Sequence, residues 1–355
     1  MILVDGAQKS GSGTIVRFAV GLATLLGEEL HLTNIRAKRE KPGLRPQHIK
    51  SIQALQQICQ GTLDGDNVSS KEIRFKPGGK VKSGHYEWDI GTAGSTTLLA
   101  MTLLPAACFS QGVLSFKICG GLFQDFAPSA YHMKCVLFPM LERMGIIARL
   151  NIIRPGYVPR GGGIIQVEIE PVMGQIKPIQ LSSQGDVTGI EGFALSSHLK
   201  QRRVSERMAE KCSQLLKSNG YDARIEIVND TTALQRGAAL AIYAKTTCGC
   251  IISADRAGEP RRTSEDIGNY VAKSLIDDLA TGATVDRYLA DQLILYAALA
   301  NGVSQYRIPM MTEHVDTNLW LVDSILGAKT EVNNNIVRIQ GIGYYPSGHK
   351  KSFLS

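Results

Sequence analysis

One order of elements occurs three times along this chain, and that repetition constrains the fold more than any single motif does. Residues 14–27 pattern as an amphipathic helix (Ile15, Val16, Phe18, Ala19, Leu22, Leu25, Leu26) closed by Gly27. A strand over 30–35 follows, then a loop, a helix over about 47–60, and strands near 62–66 and 72–76. The second occurrence runs helix 95–107, strand 113–119, loop 120–128, helix 129–144, and strands near 147–153 and 164–170. The third runs helix 285–300, strand 304–310, loop 311–316, helix 317–327, and strands 329–333 and 336–340. Each unit is expected to set two helices against a four-stranded sheet, an α+β layer arrangement. In every copy the loop between strand and second helix carries the polar residues: Arg36 to His48, Asp125 to Pro128, and Glu313-His314. Packed around a pseudo-threefold arrangement, three such loops would converge on one cleft.

Residues from about 184 to 280 break the rhythm. They pattern as strand 187–195, helix 201–218, strands 223–228, 238–245 and near 250–253, and helix 263–280. That is long enough for a small α/β domain inserted between the second and third repeats. The expected organisation is therefore a large three-repeat domain (1–183 and 281–343), a small inserted domain (184–280), and a loose polar tail over 344–355.

Charge points to a polyanionic partner. The chain carries a net charge of +7, and its basic residues are concentrated: Arg36, Lys38, Arg39, Lys41, Arg45, His48 and Lys50 stand against the single acid Glu40. Pro42-Gly43 and Pro46 break any helix there, leaving a shaped loop whose cations suit phosphate binding. The seven cysteines are odd in number and sit mostly in apolar segments, which reads as reduced core thiols and not as a disulfide framework or zinc site. No apolar run of about 18 residues is present, so no membrane span is expected. The start, Met1-Ile2-Leu3-Val4-Asp5-Gly6, lacks the basic and apolar regions of a signal peptide. A cytoplasmic location is expected, or a nuclear one in a eukaryote.

Glycine-rich runs precede two of the helices, Lys9-Ser10-Gly11-Ser12-Gly13 and Gly91-Thr92-Ala93-Gly94-Ser95, where backbone amides at a helix start receive anions. These runs belong to an ordered series. It includes Asp5-Gly6, Ile35-Arg36-Ala37, Pro42 to His48, Gly91 to Ser95, Gly120-Gly121, Ala127-Pro128, Gly156-Tyr157, Gly161-Gly162-Gly163, and Tyr288-Leu289-Ala290-Asp291-Gln292. The series resembles the RNA 3'-terminal phosphate cyclase family over essentially the whole chain. The resemblance implies a histidine that attacks the α-phosphate of ATP, giving a histidyl-adenylate and pyrophosphate. AMP then passes to an RNA 3'-phosphate end, and the neighbouring 2'-hydroxyl displaces it to leave a 2',3'-cyclic phosphate. His314, in Thr312-Glu313-His314-Val315-Asp316, matches that histidine. A neutral imidazole is a good nucleophile near pH 7, and the phosphoramidate it forms is labile enough to pass AMP on. Tyr288, Leu289, Ala290, Asp291, Gln292, Pro128 and Met101 match the nucleotide-binding positions, with Tyr288 stacking on adenine and Asp291 near the ribose or the metal. Arg17, Arg36, Arg39, Arg45, Gln47 and His48 match the phosphate-binding face for RNA. His31, His85, His132 and His198 are read as structural. A divalent ion, Mg²⁺ or Mn²⁺, is implied by the departure of pyrophosphate, with no ligand set assigned.

Four positions depart from the family's pattern. Ser10 stands in place of an acid expected to help bind metal, Thr14 and Met101 in place of glutamines, and Leu122 in place of a threonine. All lie around the expected nucleotide site. The alternative they raise is kinship with the family's non-catalytic relatives, which act as RNA-binding scaffolds in ribosome biogenesis. A more remote resemblance, to the repeat architecture of enolpyruvyl transferases, lacks the motif series.

Overall fold

The computed structural model describes residues 1–125 and 127–345. Its first sheet holds β1 (Ile2–Asp5), β2 (Leu30–Thr33), β3 (Thr62–Asp64) and β4 (Ile73–Lys76) in the order β1-β2-β4-β3, with β1 parallel to β2 and the other pairs antiparallel. The second holds β5 (Gly84–Asp89), β6 (Leu114–Gly120), β7 (Ala148–Arg154) and β8 (Gly163–Ile169) in the order β5-β6-β8-β7, again with one parallel pair at the start. The alternation that makes these strands is plainest in β8, where Ile165, Val167 and Ile169 enter the core and the residues between them do not.

The first sheet carries α1 (Gly13–Leu26) and α2 (Pro46–Cys59), and the second carries α3 (Thr96–Ala107), α4 (Ala130–His132) and α5 (Phe138–Arg143). The π-helical turn Met133–Leu137 joins α4 to α5, whose second residue is Pro139, and the missing N–H of that proline interrupts the helical ladder. Pattern alone reads α1 as amphipathic, but it is buried almost all round, because α2, α3 and the later helix Glu313–Leu326 pack against it. Gly27 ends it with φ 67°, the left-handed conformation that favours glycine.

Residues between the second and third sheets form β9 (Val187–Ser197), α6 (Val204–Ser218), β10 (Ala223–Asp230), β11 (Gly237–Thr246), β12 (Ile251–Ala257) and α7 (Ser264–Ala280). Their sheet has a different order, β10-β9-β11-β12, and a core of its own in which Met208, Cys212, Val271 and Leu275 from the helices meet Ile190, Leu240 and Ile252.

The last sheet orders β13 (Val303–Arg307), β14 (Lys329–Asn333) and β15 (Ile336–Gln340) as β13-β15-β14, with α8 (Leu289–Leu299) and α9 (Glu313–Leu326) against it. Here the expected four-stranded sheet has three strands among the described residues. The parallel first strand is reduced to one bridge, Gln180 to Gln305, flanked by 2.8 Å bonds from Leu181 N to Gln305 O and from Gln305 N to Ile179 O. The architecture is mixed α+β with four small sheets, three of them four-stranded.

All seven cysteines are free, and Cys248 is exposed and not buried in the core. Burial pushes the Cys108 and Cys212 thiols up to about 12. Among the described residues, no helix is long and apolar enough to cross a membrane. The expected loose tail is anchored at its start: Tyr344 Oη donates to Leu25 O at 2.6 Å and its ring meets Phe109 edge-on. Residues 346–355 of that tail lie outside the described residues.

Candidate active site

A cavity of about 510 Å³ opens where the three polar loops meet. The start of α1 gives Gly13, Thr14 and Arg17. The first loop and α2 give Arg36, Arg39, Gln47 and His48, and the second loop gives Asp125, Ala127 and Pro128. Met101 and Leu98 come from α3, Tyr288, Asp291 and Gln292 from the start of α8, and His314 from the first turn of α9.

Capping and tethering explain why these segments adopt this arrangement. Ser12 caps α1 and Thr312 caps α9, each accepting a backbone N–H of the first turn with its side-chain oxygen. The glycine-rich run before α1 is tied to α9 across roughly the whole chain: Lys9 pairs with Asp316 at 3.0 Å, and Thr317 Oγ1 donates to Ser10 Oγ at 2.9 Å. Asp286 then holds the start of α8, accepting from Tyr288 N at 2.9 Å and Leu289 N at 2.8 Å. Asp286 is fully buried against His132 at 3.3 Å; burial opposes both charges, but their mutual attraction prevails, holding the Asp286 carboxyl low and raising His132. His132 pairs with Asp286 in the interior and does not line the cavity.

His314 Nδ1 lies 3.2 Å from Thr14 Oγ1, which also accepts from Arg17 Nη2 at 3.4 Å. Burial, then Arg17 and Arg39, lower the His314 pKa, so the imidazole is neutral at pH 7. Its place in the first turn of α9 sets the positive end of the helix beside it, an anion-attracting environment.

His48 is buried at 3% exposure, and its Nδ1 accepts the Arg45 backbone N–H at 3.2 Å. That bond leaves the ring proton on Nε2. Burial first, then Arg17, Arg36 and Arg45, push its pKa down to about 2, so it acts as a neutral donor. A Cβ at position 13 would collide with His48 Nε2, which is why glycine stands there. Arg36 has φ 53° and donates through Nη1 to Lys41 O and Gly43 O, both at 2.7 Å, bracing the basic loop. Burial lowers the Arg17 guanidinium to about 10 with Asp291 opposing, and burial pushes the Asp291 carboxyl up to about 7. Asn318 Nδ2 donates to Asp291 Oδ2 at 3.2 Å, and the buried Gln292 Oε1 has no partner among the described residues.

Three of the residues expected at the site lie elsewhere. Leu289 and Ala290 are fully buried on the core side of α8, because successive helical residues turn about 100° and only Tyr288, Asp291 and Gln292 reach the cavity. Arg45 stays outside the lining at the start of α2 and acts through its charge on Arg36 and His48. Two contributors have no individual role legible in the sequence. Thr14 stood out only as a departure, although its spacing to Arg17 puts both on one helix face. Asp125 is held by Arg262 at 3.0 and 2.7 Å and by Arg256 at 3.2 Å, partners 130 or so residues distant that no local pattern announces.

A family model for the RNA 3'-terminal phosphate cyclase matches residues 8–332. The RNA 3'-terminal phosphate cyclase of Methanothermobacter thermautotrophicus is 34% identical over 334 residues, 94% of this chain and 96% of that one. That of Staphylothermus marinus is 34% identical over 359 residues, 98% and 99% of the two chains. Among solved structures, EPSP synthase from Acinetobacter baumannii aligns over 97% of this chain and 82% of its own at 13% identity and a TM-score of 0.29, too slight a likeness to support a statement about fold or function. The full-length matches and the ordered motifs give one result: the chain belongs to the RNA 3'-terminal phosphate cyclase family.

Proposed function

We propose that this chain converts RNA 3'-phosphate ends to 2',3'-cyclic phosphates, cleaving ATP to AMP and pyrophosphate through an adenylate on His314. The observation that carries the reading is the neutral His314 imidazole, bonded to Thr14 and faced by Arg17 and Arg39 in the cavity. With its proton on Nδ1 and donated to Thr14 Oγ1, the lone pair lies on Nε2. Attack on the α-phosphate forms an N–P bond and breaks the bond to the bridging oxygen of pyrophosphate. A 3'-phosphate oxygen of the RNA next displaces the histidine, breaking the N–P bond. The 2'-hydroxyl then attacks the 3'-phosphorus, losing its proton to solvent, and AMP leaves.

Arg17, Arg36 and Arg39, with Gln47 and the Nε2–H of His48, are the phosphate-binding face in this reading. Tyr288, Asp291, Gln292, Pro128 and Met101 hold the nucleoside, and the unpartnered Gln292 Oε1 fits a donor of the base or ribose. Repetition of the two-helix units around this cavity supports reading 1–183 and 281–343 as one catalytic domain, with 184–280 inserted.

The side chains do not fit a resident Mg²⁺ or Mn²⁺. Of the cavity's carboxylates, Asp125 is engaged by two arginines, and Asp291 has a carboxyl raised to about 7 and bonded to Asn318. Ser10, at the position of the expected acid, is bonded to Ser12 and Thr317. Among the described residues, no three His, Cys, Asp or Glu side chains are grouped to hold a metal. A divalent ion would have to be held chiefly by the nucleotide's own phosphates.

Incubation with ATP and a short RNA ending in a 3'-phosphate tests the proposal. The expected product is a phosphatase-resistant cyclic end with one AMP released per end, absent for His314→Ala. RNA binding without AMP release would instead favour the non-catalytic scaffold.

A further inference from the structure

A second cavity, of about 680 Å³, adjoins the first. Arg262 lines it and donates 3.0 and 2.7 Å hydrogen bonds to Asp125, which lines the candidate active site, so a single ion pair stands between the two. Five arginines line this second cavity (Arg202, Arg207, Arg236, Arg261 and Arg262) against one glutamate, Glu259. Arg207 is neutralised by Glu265 at 2.7 Å, and Arg262 by Asp125 and Glu259. Among the described residues, Arg202, Arg236 and Arg261 have no ion pair, and all three are exposed. Arg261 also has φ 72°, a left-handed conformation that a long side chain rarely adopts and that the loop must enforce.

We propose that this cleft holds the phosphate backbone of the RNA strand upstream of the 3' end that occupies the first cavity. The inference rests on the cyclase reading for the identity of the polyanion. Three uncompensated guanidiniums in one groove call for several phosphates and not one, and guanidinium forks match phosphate oxygens in pairs. Val158, Leu199 and Val204 give the groove apolar wall against which riboses and bases can lie. Asp125 lines one cavity and Arg262 the other, and the 2.7 Å bond between them sets the two clefts side by side. The cations come from the segment between the second and third sheets and the apolar wall partly from the second sheet's loop, so the path crosses from one to the other.

Fluorescence anisotropy of labelled RNA tests this without requiring turnover. Two RNAs with 3'-phosphates are compared, a dinucleotide and one of about ten nucleotides, within the range of single-strand site sizes. In the triple variant Arg202→Ala, Arg236→Ala, Arg261→Ala, the longer RNA is expected to lose at least tenfold in affinity. The slope of log affinity against log salt should fall by about 2, near 0.7 for each phosphate contact removed. Dinucleotide binding should be unchanged. The triple lysine variant, which keeps the charge, should retain most of the salt slope, separating lost charge from a damaged fold. Unchanged affinity and slope for the longer RNA would overturn the proposal, as would an equal loss for both RNAs. A polyglutamate peptide that binds in an arginine-dependent manner while RNA affinity is unaffected would overturn it in favour of an acidic protein segment. Length-dependent RNA binding without any cyclisation would sink the catalytic reading and leave the strand site standing.

Discussion

Lowering the pH from 7 to 5 is expected to destabilise the fold by about 2 kcal/mol through His48 alone. The ring is 3% exposed, its Nδ1 is occupied by the Arg45 N–H, and Arg17, Arg36 and Arg45 surround it. Burial first and these cations second hold its pKa near 2, against 6.5 in the unfolded chain. The folded state therefore refuses a proton that the unfolded state accepts. The stabilisation is present above the unfolded value and is lost as pH falls through 6.5 towards the folded value. At pH 5 the folded pKa no longer matters: about 1.5 pH units below the unfolded value, at 1.36 kcal/mol per unit, gives roughly 2 kcal/mol. His132 contributes with the opposite sign. Asp286 raises its pKa against the effect of burial, so its contribution is present at low pH and lost as pH rises through the folded value. Subtraction isolates His48: wild type and His48→Gln are unfolded in urea at pH 7 and pH 5. Trp88 is a suitable fluorophore, since its Nε1 donates to Gln57 of α2, the helix that carries His48. Wild type should lose about 2 kcal/mol more than the variant between the two pH values. Equal losses would show that His48 takes up a proton in the fold, and the fixed-donor account of it would fail.

Thr14→Val removes the oxygen shared by His314 and Arg17, and one such bond is worth about 1 kcal/mol, so the rate of adenylate formation should fall about fivefold with the ATP KM little changed. Asp291→Asn imitates the protonated carboxyl. ATP affinities of wild type and variant should agree at pH 6 and diverge at pH 8, read by equilibrium dialysis, because the carboxyl is raised to about 7. Titration with Mn²⁺ followed by electron paramagnetic resonance should show no stoichiometric binding until a nucleoside triphosphate is added, as the cavity's carboxylates are already engaged.

Much of the fold was legible because the repeated helices are apolar and end at glycines such as Gly27 and Gly327. The strands β1 and β5 carry no strand signal in the sequence pattern. Each lies at a sheet edge, and β5 turns His85, Glu87 and Asp89 outward in a run too polar to read as a strand. The shortfall of the third sheet was likewise invisible, since a single bridge at Gln180 leaves no hydrophobic pattern. At the site, His314 and the Arg36–His48 loop could be found because an ordered series of motifs surrounds them. Leu289 and Ala290 belong to the nucleotide-site motif by sequence, but helical geometry sends them to the core. Thr14 and the Arg262 clamp on Asp125 depend on contacts spanning 300 and 137 residues, which only the folded chain brings together.

The central claim is that His314 carries AMP. Incubating the purified chain with Mg²⁺ and ATP labelled at the α-phosphate, then denaturing it, tests this directly beside His314→Ala. The account predicts label on the wild-type chain that is acid-labile, alkali-stable and absent from the variant. No label with either Mg²⁺ or Mn²⁺, or equal label on the variant, would contradict it.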